Sequence, residues 1–293
     1  MTPPASLSGP TVAGPTLYGL LAILLWGLLA LLTAATKGVP PFLLTALTFT
    51  VGGGLGLALL AARGRLHLLV QPPAAWALGV GGLFGYHAVY FAALKTAPPA
   101  EASLIAYLWP LLIVLFSALL PGERLTVRQV IGALAGFAGV IVLALSKGGI
   151  GQGNTIPWLG YGLALACAFI WSGYSVLSRR AAHVPTEAVV GFCLATAVLA
   201  LGCHLIWEPR GLPSSPATWA AIAALGLGPV GAAFFLWDIG MKRGDIRFLG
   251  TASYAAPVIS TLALVATGEA QAGLALGLAC AMIVGGALIA RSR

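Results

Sequence analysis

Three tryptophans lie near the middle of long apolar segments, where a ligand or a neighbouring helix must accommodate them. They are Trp26, Trp109 and Trp171. The flat indole ring can stack on an aromatic or apolar ligand, and its N–H group needs a hydrogen-bond acceptor once it is buried. These residues therefore predict either a binding site lined by tryptophan or ordinary packing of tryptophan between helices.

A further polar and aromatic face occurs on another apolar segment. Tyr86 and Tyr90 are four residues apart, and His87 and Tyr90 are three apart, so the three side chains share one face of a helix. We expect this face to turn away from lipid, because polar groups are costly there. His87 is suited to hydrogen-bond a substrate carboxylate or to carry a proton near neutral pH. The alternative is a neutral imidazole tied to a neighbouring hydroxyl.

Asp238 is an acid inside an apolar segment, next to Trp237 and one helical turn before Lys242. An intramembrane acid indicates a functional site, such as a proton carrier or the counter-charge for a cation. An ion pair with Lys242 is the plainer interpretation. An intramembrane aspartyl protease would need a second acid, and no G-x-S-x-G element is present to expose a serine nucleophile. These observations favour a transporter over an enzyme.

The composition is that of a protein with many membrane-spanning helices. Of the 293 residues, 59% are hydrophobic and only 8% are charged, whereas soluble proteins carry about 25% charged residues. The net charge of +8 is explained by cytoplasmic loops that face anionic lipid, so no nucleic-acid partner is expected. The four cysteines show neither a CxxC motif nor metal-ligand spacing, so no metal or other cofactor is predicted.

Ten segments are long and apolar enough to cross a hydrocarbon core of roughly 30 Å as helices. They predict an all-α membrane protein with ten transmembrane helices at 16–36, 40–62, 74–94, 99–120, 127–146, 157–177, 187–206, 217–241, 248–267 and 271–290. With the N-terminus inside, the cytoplasmic loops and termini hold eleven Lys and Arg residues and the other side holds four. Positive charge prefers the cytoplasmic side, so both termini are predicted to be cytoplasmic.

Two of the predicted helices contain a proline near mid-depth. They are the fourth, with Pro110, and the ninth, with Pro257. Proline lacks an N–H group, so it deprives the carbonyl four residues earlier, that of Ala106 or Ser253, of its helical donor. Lipid cannot replace that donor. Each of these helices is therefore expected to break at its proline and to face protein or a water-filled cavity.

The same two helices indicate an internal repeat. Tyr107 and Pro110 both recur 147 positions later in the chain. The chain therefore divides into two five-helix halves, 16–146 and 157–290. Because five is odd, the second half enters the membrane from the opposite side. Inverted repeats are typical of secondary transporters, which hold their substrate near mid-membrane where the halves meet.

Four stretches resemble the drug/metabolite transporter superfamily, in its ten-helix form with two EamA-type halves. They are Tyr107-Leu108-Trp109-Pro110, residues 168–174, Trp237-Asp238-Ile239-Gly240, and Ala252-Ser253-Tyr254 with Pro257. The resemblance implies a cavity surrounded by helices one, three, four, six, eight and nine. It also implies that helices five and ten pack together apart from the cavity. Gly132 with Gly136, and Gly273 with Gly277, have the spacing for such close packing.

The resemblance further implies export across the bacterial inner membrane. The expected activity is outward transport, by alternating access, of small amphipathic metabolites, chiefly aromatic or other apolar amino acids. The alternative is a multidrug exporter of hydrophobic cations, with Asp238 as the counter-charge. A monomer in the lipid bilayer is expected, because one chain supplies both repeats. The predicted substrate-binding residues are Trp26, Tyr86, His87, Tyr90, Tyr107, Trp109, Trp171, Tyr174, Trp237, Asp238, Ser253 and Tyr254, with Pro110 and Pro257 as hinges.

Overall fold

Apolar helices make up the fold of the computed structural model, which describes residues 12–121, 124–146, 157–268 and 273–291. Within these ranges nine helices are long and apolar enough to cross a membrane, and a further apolar helix is shorter. In chain order they are α1 (Ala13–Ala34), α2 (Pro41–Ala62), α3 (Pro73–Thr96), α4 (Pro99–Ser117), α5 (Val127–Ser146), α6 (Trp158–Arg180), α7 (Thr186–Trp207), α8 (Pro216–Arg243), α9 (Ile246–Ala266) and α10 (Leu274–Ala290). The predicted all-α membrane protein is confirmed for the part that is described. The predicted start of the tenth helix, residue 271, lies outside the described residues.

Local sequence sets the ends of several helices. α2, α3, α4 and α8 each begin with a proline, whose fixed φ suits a first turn and whose missing N–H leaves no helical bond unmade there. The predicted and observed starts of these helices therefore agree to within one residue. α4 ends at Ser117 rather than at residue 120, because the amides of Leu119 and Leu120 bond to carbonyls only three residues earlier. Such tight bonds commonly close the last turn of a helix.

Two helices are interrupted where their prolines predict it. α4 consists of the segments Pro99–Ala106 and Trp109–Ser117, and α9 of the segments Ile246–Ala252 and Ala255–Ala266. In both helices the interruption immediately precedes the turn that contains the proline. The prediction of two broken helices at corresponding positions is therefore confirmed.

One detail of the α9 interruption differs from the prediction. The carbonyl of Ser253 accepts a hydrogen bond from the amide of Ala256 at 3.1 Å. The prediction that Pro257 leaves this carbonyl without a donor is therefore wrong. The N–H of Ala256, three residues after Ser253, takes the place of the N–H that Pro257 lacks.

Two further helices, α1 and α8, are interrupted, which the sequence did not predict. α1 consists of Ala13–Gly27 and Leu29–Ala34. α8 consists of Pro216–Leu227, a π-helical turn at Gly228–Ala232, and Ala233–Arg243. A π-helical turn inserts an extra residue into a helix and often marks a functional site. Four of the described helices are therefore broken near mid-depth.

α5 and α10 pack against each other through glycines, as the resemblance implies. A Cβ atom on Gly132 would collide with the carbonyl oxygen of Gly286, and a Cβ atom on Gly286 would stand 3.1 Å from the amide nitrogen of Gly136. Gly273 and Gly277 do not take part, since an added Cβ atom would meet nothing within 4 Å at either. The predicted role of that pair is wrong, because Gly273 precedes α10 and Gly277 lies in its first turn, ahead of the contact.

The two ends of the helix bundle are distinguished by their charged residues. We call one the Lys37 end. At this end the carboxylate of Glu208 accepts a 2.8 Å hydrogen bond from the amide of Phe42 and so caps α2. We call the other the Arg65 end, where Arg65 pairs with Glu187 at 3.1 Å.

Candidate functional site

A cavity of about 630 Å³ extends from the Lys37 end toward the middle of the bundle. Its mouth includes Lys37 and Gly38, which lie in the exposed loop between α1 and α2. Pockets of this volume hold small organic ligands. Seven of the predicted site residues line it, namely Trp26, Tyr86, His87, Tyr90, Tyr107, Trp109 and Trp171.

Four tryptophans from α1, α4, α6 and α8 meet at the inner limit of the cavity. We call Trp26, Trp109, Trp171 and Trp237 the tryptophan cluster. The ring centroid of Trp26 lies 6.4, 5.7 and 5.0 Å from those of the other three, taken in chain order. The first two pairs meet edge to face, an arrangement that aromatic rings favour. Trp26, Trp109 and Trp171 form the floor of the cavity, and Trp237 is fully buried beneath them.

Hydrogen bonds hold two members of the tryptophan cluster in place. The indole N–H of Trp26 donates to the carbonyl of Pro229 at 3.0 Å, which joins α1 to the π-helical turn of α8. The indole N–H of Trp237 donates to the hydroxyl of Ser175 on α6 at 3.1 Å. These bonds satisfy the polar atoms that a buried indole carries. The floor therefore presents mainly flat apolar rings to the cavity.

His87 is fixed by its own helix. Its Nδ1 atom lies 2.7 Å from the carbonyl oxygen of Leu83. A carbonyl only accepts hydrogen bonds, so Nδ1 carries a proton and the Nε2 atom of a neutral ring is an acceptor. The ring also meets the ring of Phe49 edge to face at 5.2 Å. Neutral His87 therefore offers the cavity an acceptor, and a carboxylate would bind only after Nε2 is protonated.

The tyrosines of α3 line the wall of the cavity beside the tryptophan cluster. The Tyr86 ring stacks on the Tyr90 ring at 5.9 Å and lies 5.3 Å from the Trp171 ring. The Tyr90 hydroxyl shares a 2.8 Å hydrogen bond with the hydroxyl of Ser103, in the first segment of α4. The predicted shared face of α3 is therefore turned inward, and it contacts both α4 and α6.

Five predicted binding residues lie outside the lining of the cavity. They are Tyr174, Trp237, Asp238, Ser253 and Tyr254, and the predicted hinges Pro110 and Pro257 also lie outside it. Tyr254 is fully buried, packs against α5 and α10, and accepts a 3.1 Å hydrogen bond from the amide of Leu111. The Ser253 hydroxyl donates to the carbonyl of Leu249 at 2.7 Å. These side chains contact the interrupted helices α4 and α9 outside the cavity lining.

Asp238 lies in a buried network at the Arg65 end. One oxygen of its carboxylate accepts from the ammonium of Lys242 at 2.8 Å and from the hydroxyl of Thr186 at 2.6 Å. Lys242 also donates to the carbonyl of Val184 at 2.9 Å. The side chains of the ion pair are only 4% and 5% exposed. Of the two interpretations of Asp238, the ion pair with Lys242 is present in the structure.

The sequence did not point to α2, although this helix lines one side of the cavity. It contributes Thr45, Thr48 and Phe49, and the Phe49 ring stacks on that of Phe234 at 5.5 Å. The two threonine hydroxyls donate to carbonyls of their own helix, so both hydrogen atoms are already used within α2. The available signal was the spacing of three and four residues that places all three on one face of a helix.

Comparison with known families agrees with this architecture. The model of the EamA-like transporter family matches residues 15–145 and 158–292, which together make up most of the chain. The chain belongs to the EamA-like transporter family. Its expected membership of the drug/metabolite transporters is thereby confirmed.

Several relatives of this EamA-like transporter are named as exporters. It is 61% identical over 277 residues to "Aromatic amino acid exporter YddG" of Ancylobacter novellus, covering 94% of this chain and 96% of that protein. It is 27% identical over 292 residues to the Escherichia coli protein of the same name, covering 94% and 95% of the two chains. A solved crystal structure at 60% identity superimposes with a TM-score of 0.91 over 95% of this chain and 96% of the other.

Proposed function

We propose that this protein is a secondary transporter that exports small amphipathic metabolites, chiefly aromatic and other apolar amino acids, by alternating access. The observation that carries the proposal is the cavity that extends from the Lys37 end to mid-bundle and is lined there by three indole rings. Such a cavity fits one state of an alternating-access cycle. Membership of a transporter family supports a transport role rather than catalysis. The names of its relatives support aromatic amino acids as substrates.

The lining suggests how such a substrate is held. Its aromatic side chain stacks on Trp109 and Trp171, while its charged groups meet the polar atoms of the wall. The hydroxyls of Tyr86 and Tyr107, which line the cavity, can serve either charged group. Ala106 also lines the cavity, and Pro110 has no N–H to bond to its carbonyl.

The architecture proposed for this transporter is two inverted five-helix repeats, 16–146 and 157–290, that form ten membrane spans. The extent of the two family matches, 15–145 and 158–292, supports this division. The excess of Lys and Arg at the Arg65 end supports cytoplasmic N- and C-termini. With that orientation the cavity opens to the outside of the bacterial inner membrane. A single chain supplies both repeats, so we propose a monomer that bends at Pro110 and Pro257.

Export of hydrophobic cations is a second candidate function. The observation that favours it is the set of indole and phenol faces in the cavity, since aromatic faces attract cations. The proposed counter-charge does not support it, because Asp238 lies outside the lining and is bonded to Lys242 and Thr186. Amino acids therefore remain the better supported substrates.

Removing the ring of Trp109 or Trp171 is expected to slow tryptophan export. Replacing either with alanine removes an aromatic contact worth about 1 kcal/mol, so the apparent affinity for tryptophan should fall by roughly five- to tenfold. The measurement is tryptophan efflux at several concentrations from liposomes that contain the purified variant.

The matched control for these variants is Trp158→Ala. Trp158 is 74% exposed at the start of α6, about 20 Å along that helix from Trp171 at 1.5 Å per residue. Its replacement should leave the apparent affinity unchanged. Wild-type affinity in both Trp109→Ala and Trp171→Ala, with normal amounts of protein in the liposomes, would contradict the proposed site.

A further inference from the structure

The four indole N–H groups of the tryptophan cluster differ in their hydrogen bonding. Those of Trp26 and Trp237 donate to acceptors within the protein. Those of Trp109 and Trp171 have no hydrogen-bond partner in the part of the chain that the structure describes. A buried indole N–H group usually finds an acceptor. The two unpaired donors are therefore a feature that the packing of the helices does not explain.

Both unpaired donors open into the cavity. Trp109 is 7% exposed and Trp171 is 4% exposed, so nearly all of each ring is packed against protein. Neither indole nitrogen is sealed off from solvent, however, because the described side-chain nitrogen and oxygen atoms that are both buried and unpartnered belong to other residues. The accessible space beside these two residues is the cavity that they line. Each ring therefore presents its N–H group to the cavity.

An indole N–H group distinguishes the two charged groups of an amino acid. It donates a hydrogen bond and cannot accept one, so it can bind a carboxylate but not an ammonium. The hydroxyls of Tyr86 and Tyr107 can bind either. A hydrogen bond to an ionised acceptor is also stronger than one between neutral groups. Two such donors in one cavity therefore indicate an anionic group on the ligand.

The rest of the lining offers few other groups that could bind a carboxylate. Among its described residues Lys37 is the one lysine or arginine, and it lies at the mouth rather than at the floor. The Nδ1 proton of His87 and the hydroxyl hydrogens of Thr45 and Thr48 are already bonded to carbonyls of their own helices. A carboxylate that leaves water needs hydrogen-bond donors. The two indole N–H groups supply them at the inner limit of the cavity.

The two donors belong to neighbouring rings. The ring centroids of Trp109 and Trp171 lie 6.3 Å apart, and their planes are inclined at 84°. Trp109 is the first residue of the second segment of α4, so the interruption of that helix lies immediately before it. The N–H group is on the edge of an indole ring, whereas stacking uses the face. A substrate ring on the face therefore leaves the N–H group available for the carboxylate.

We propose that the indole N–H groups of Trp109 and Trp171 form the carboxylate subsite of this transporter and donate hydrogen bonds to the carboxylate of an amino acid. This assignment rests on the proposed function, and it gives the two residues a role besides stacking. It predicts that removing either N–H group weakens compounds that carry a carboxylate more than compounds that have the same ring without one.

The test removes the two N–H groups with Trp109→Phe and Trp171→Phe. Release of labelled tryptophan from proteoliposomes is measured with two competitors: indole-3-propionate, which has the carboxylate but no ammonium, and tryptamine, which has the ammonium but no carboxylate. The smaller ring weakens both competitors alike, so the ratio of their half-maximal concentrations reports the lost N–H group. In each variant the value for indole-3-propionate should rise about tenfold relative to that for tryptamine, as expected for a lost hydrogen bond to a charged group.

The matched control is Trp26→Phe. Trp26 lines the same cavity, but its N–H group already donates to the carbonyl of Pro229, so the change removes a ring contact and no unpaired donor. Both competitors should weaken alike, and their ratio should stay as in the unaltered protein. If the ratio is unchanged in either Trp109→Phe or Trp171→Phe, or changes as much in Trp26→Phe, the carboxylate subsite is wrong while the proposed function stands.

A second replacement removes an N–H group while keeping the size of the ring. Nonsense suppression places β-(3-benzothienyl)alanine, which has sulfur where indole has N–H, at the position of Trp171. Indole-3-propionate should compete about tenfold less well than with the unaltered protein, and tryptamine equally well. Equal effects on the two competitors would overturn the carboxylate subsite. Absence of any tryptophan release from the unaltered protein would instead overturn the proposed function, and with it the inference that depends on it.

Discussion

Replacing Asp238 with alanine is expected to lower the free energy of unfolding by about 3–5 kcal/mol. The variant leaves the ammonium of Lys242 buried, with the Val184 carbonyl as its remaining partner, and it also removes the acceptor of the Thr186 hydroxyl. An uncompensated buried charge costs far more than the ion pair contributes. The measurement is SDS-induced unfolding of the purified protein in mixed micelles.

Two further variants make this expectation specific. Asp238→Leu combined with Lys242→Met should recover most of the lost stability, because it removes both charges together. Glu187→Ala breaks the ion pair with Arg65. The side chain of Arg65 is 48% exposed and that of Glu187 is 32% exposed, so this variant should lower the free energy of unfolding by less than about 1 kcal/mol. If Asp238→Ala were as stable as Glu187→Ala, the buried network would not contribute as its geometry indicates.

Replacing Gly286 with valine is expected to separate α5 from α10 and to destabilise the protein by about 1–3 kcal/mol or more. A side chain at this position would stand against the carbonyl of Gly132, 3.1 Å from the amide nitrogen of Gly136 and 3.3 Å from the Cβ atom of Ala135. Backbone atoms cannot move aside as a flexible side chain can, so the helices themselves must shift. The same SDS titration measures the effect.

The neighbouring glycine supplies the control for this variant. An added Cβ atom on Gly285 would meet nothing within 4 Å, and Gly285→Val changes helix propensity by the same amount as Gly286→Val. The difference between the two variants therefore isolates the contact between α5 and α10. Equal stability of the two would contradict the close packing of these helices.

The all-helical membrane fold and two of its helix interruptions could be predicted because both depend on local rules. Long apolar segments predict membrane helices, and a proline at mid-depth predicts a break. Pro229 carried the same local signal in α8. The repeat does not mark this proline, because the position 147 residues before it is Gly82.

The lining of the cavity was predicted in part, because a residue type does not determine what a side chain faces. Tyr107 and Tyr254 each lie three residues before a proline in an interrupted helix, yet Tyr107 lines the cavity whereas Tyr254 packs against α5 and α10. Which environment each meets depends on neighbours from distant parts of the chain. Phe49 was not predicted to line the cavity, because a phenylalanine in an apolar helix is not unusual.

The spacing of Asp238 and Lys242 along α8 predicts their ion pair but not the other hydrogen bonds around it. The separation of four residues from Lys242 allowed an ion pair on one helix face. The bonds from Thr186 to Asp238 and from Lys242 to Val184 involve the first residue of α7 and the connection that precedes it, which spacing within α8 cannot reveal. These bonds bury the pair at the Arg65 end, away from the cavity.

The central claim, that the aromatic cavity carries aromatic amino acids, is tested most directly by transport with purified protein. Liposomes that contain the protein are loaded with labelled tryptophan or, separately, with labelled lysine, and release is followed over time. We expect saturable release of tryptophan that phenylalanine inhibits, with little release of lysine, which has no aromatic ring to stack on the tryptophan cluster. Equal release of tryptophan and lysine, or release of neither, would contradict it.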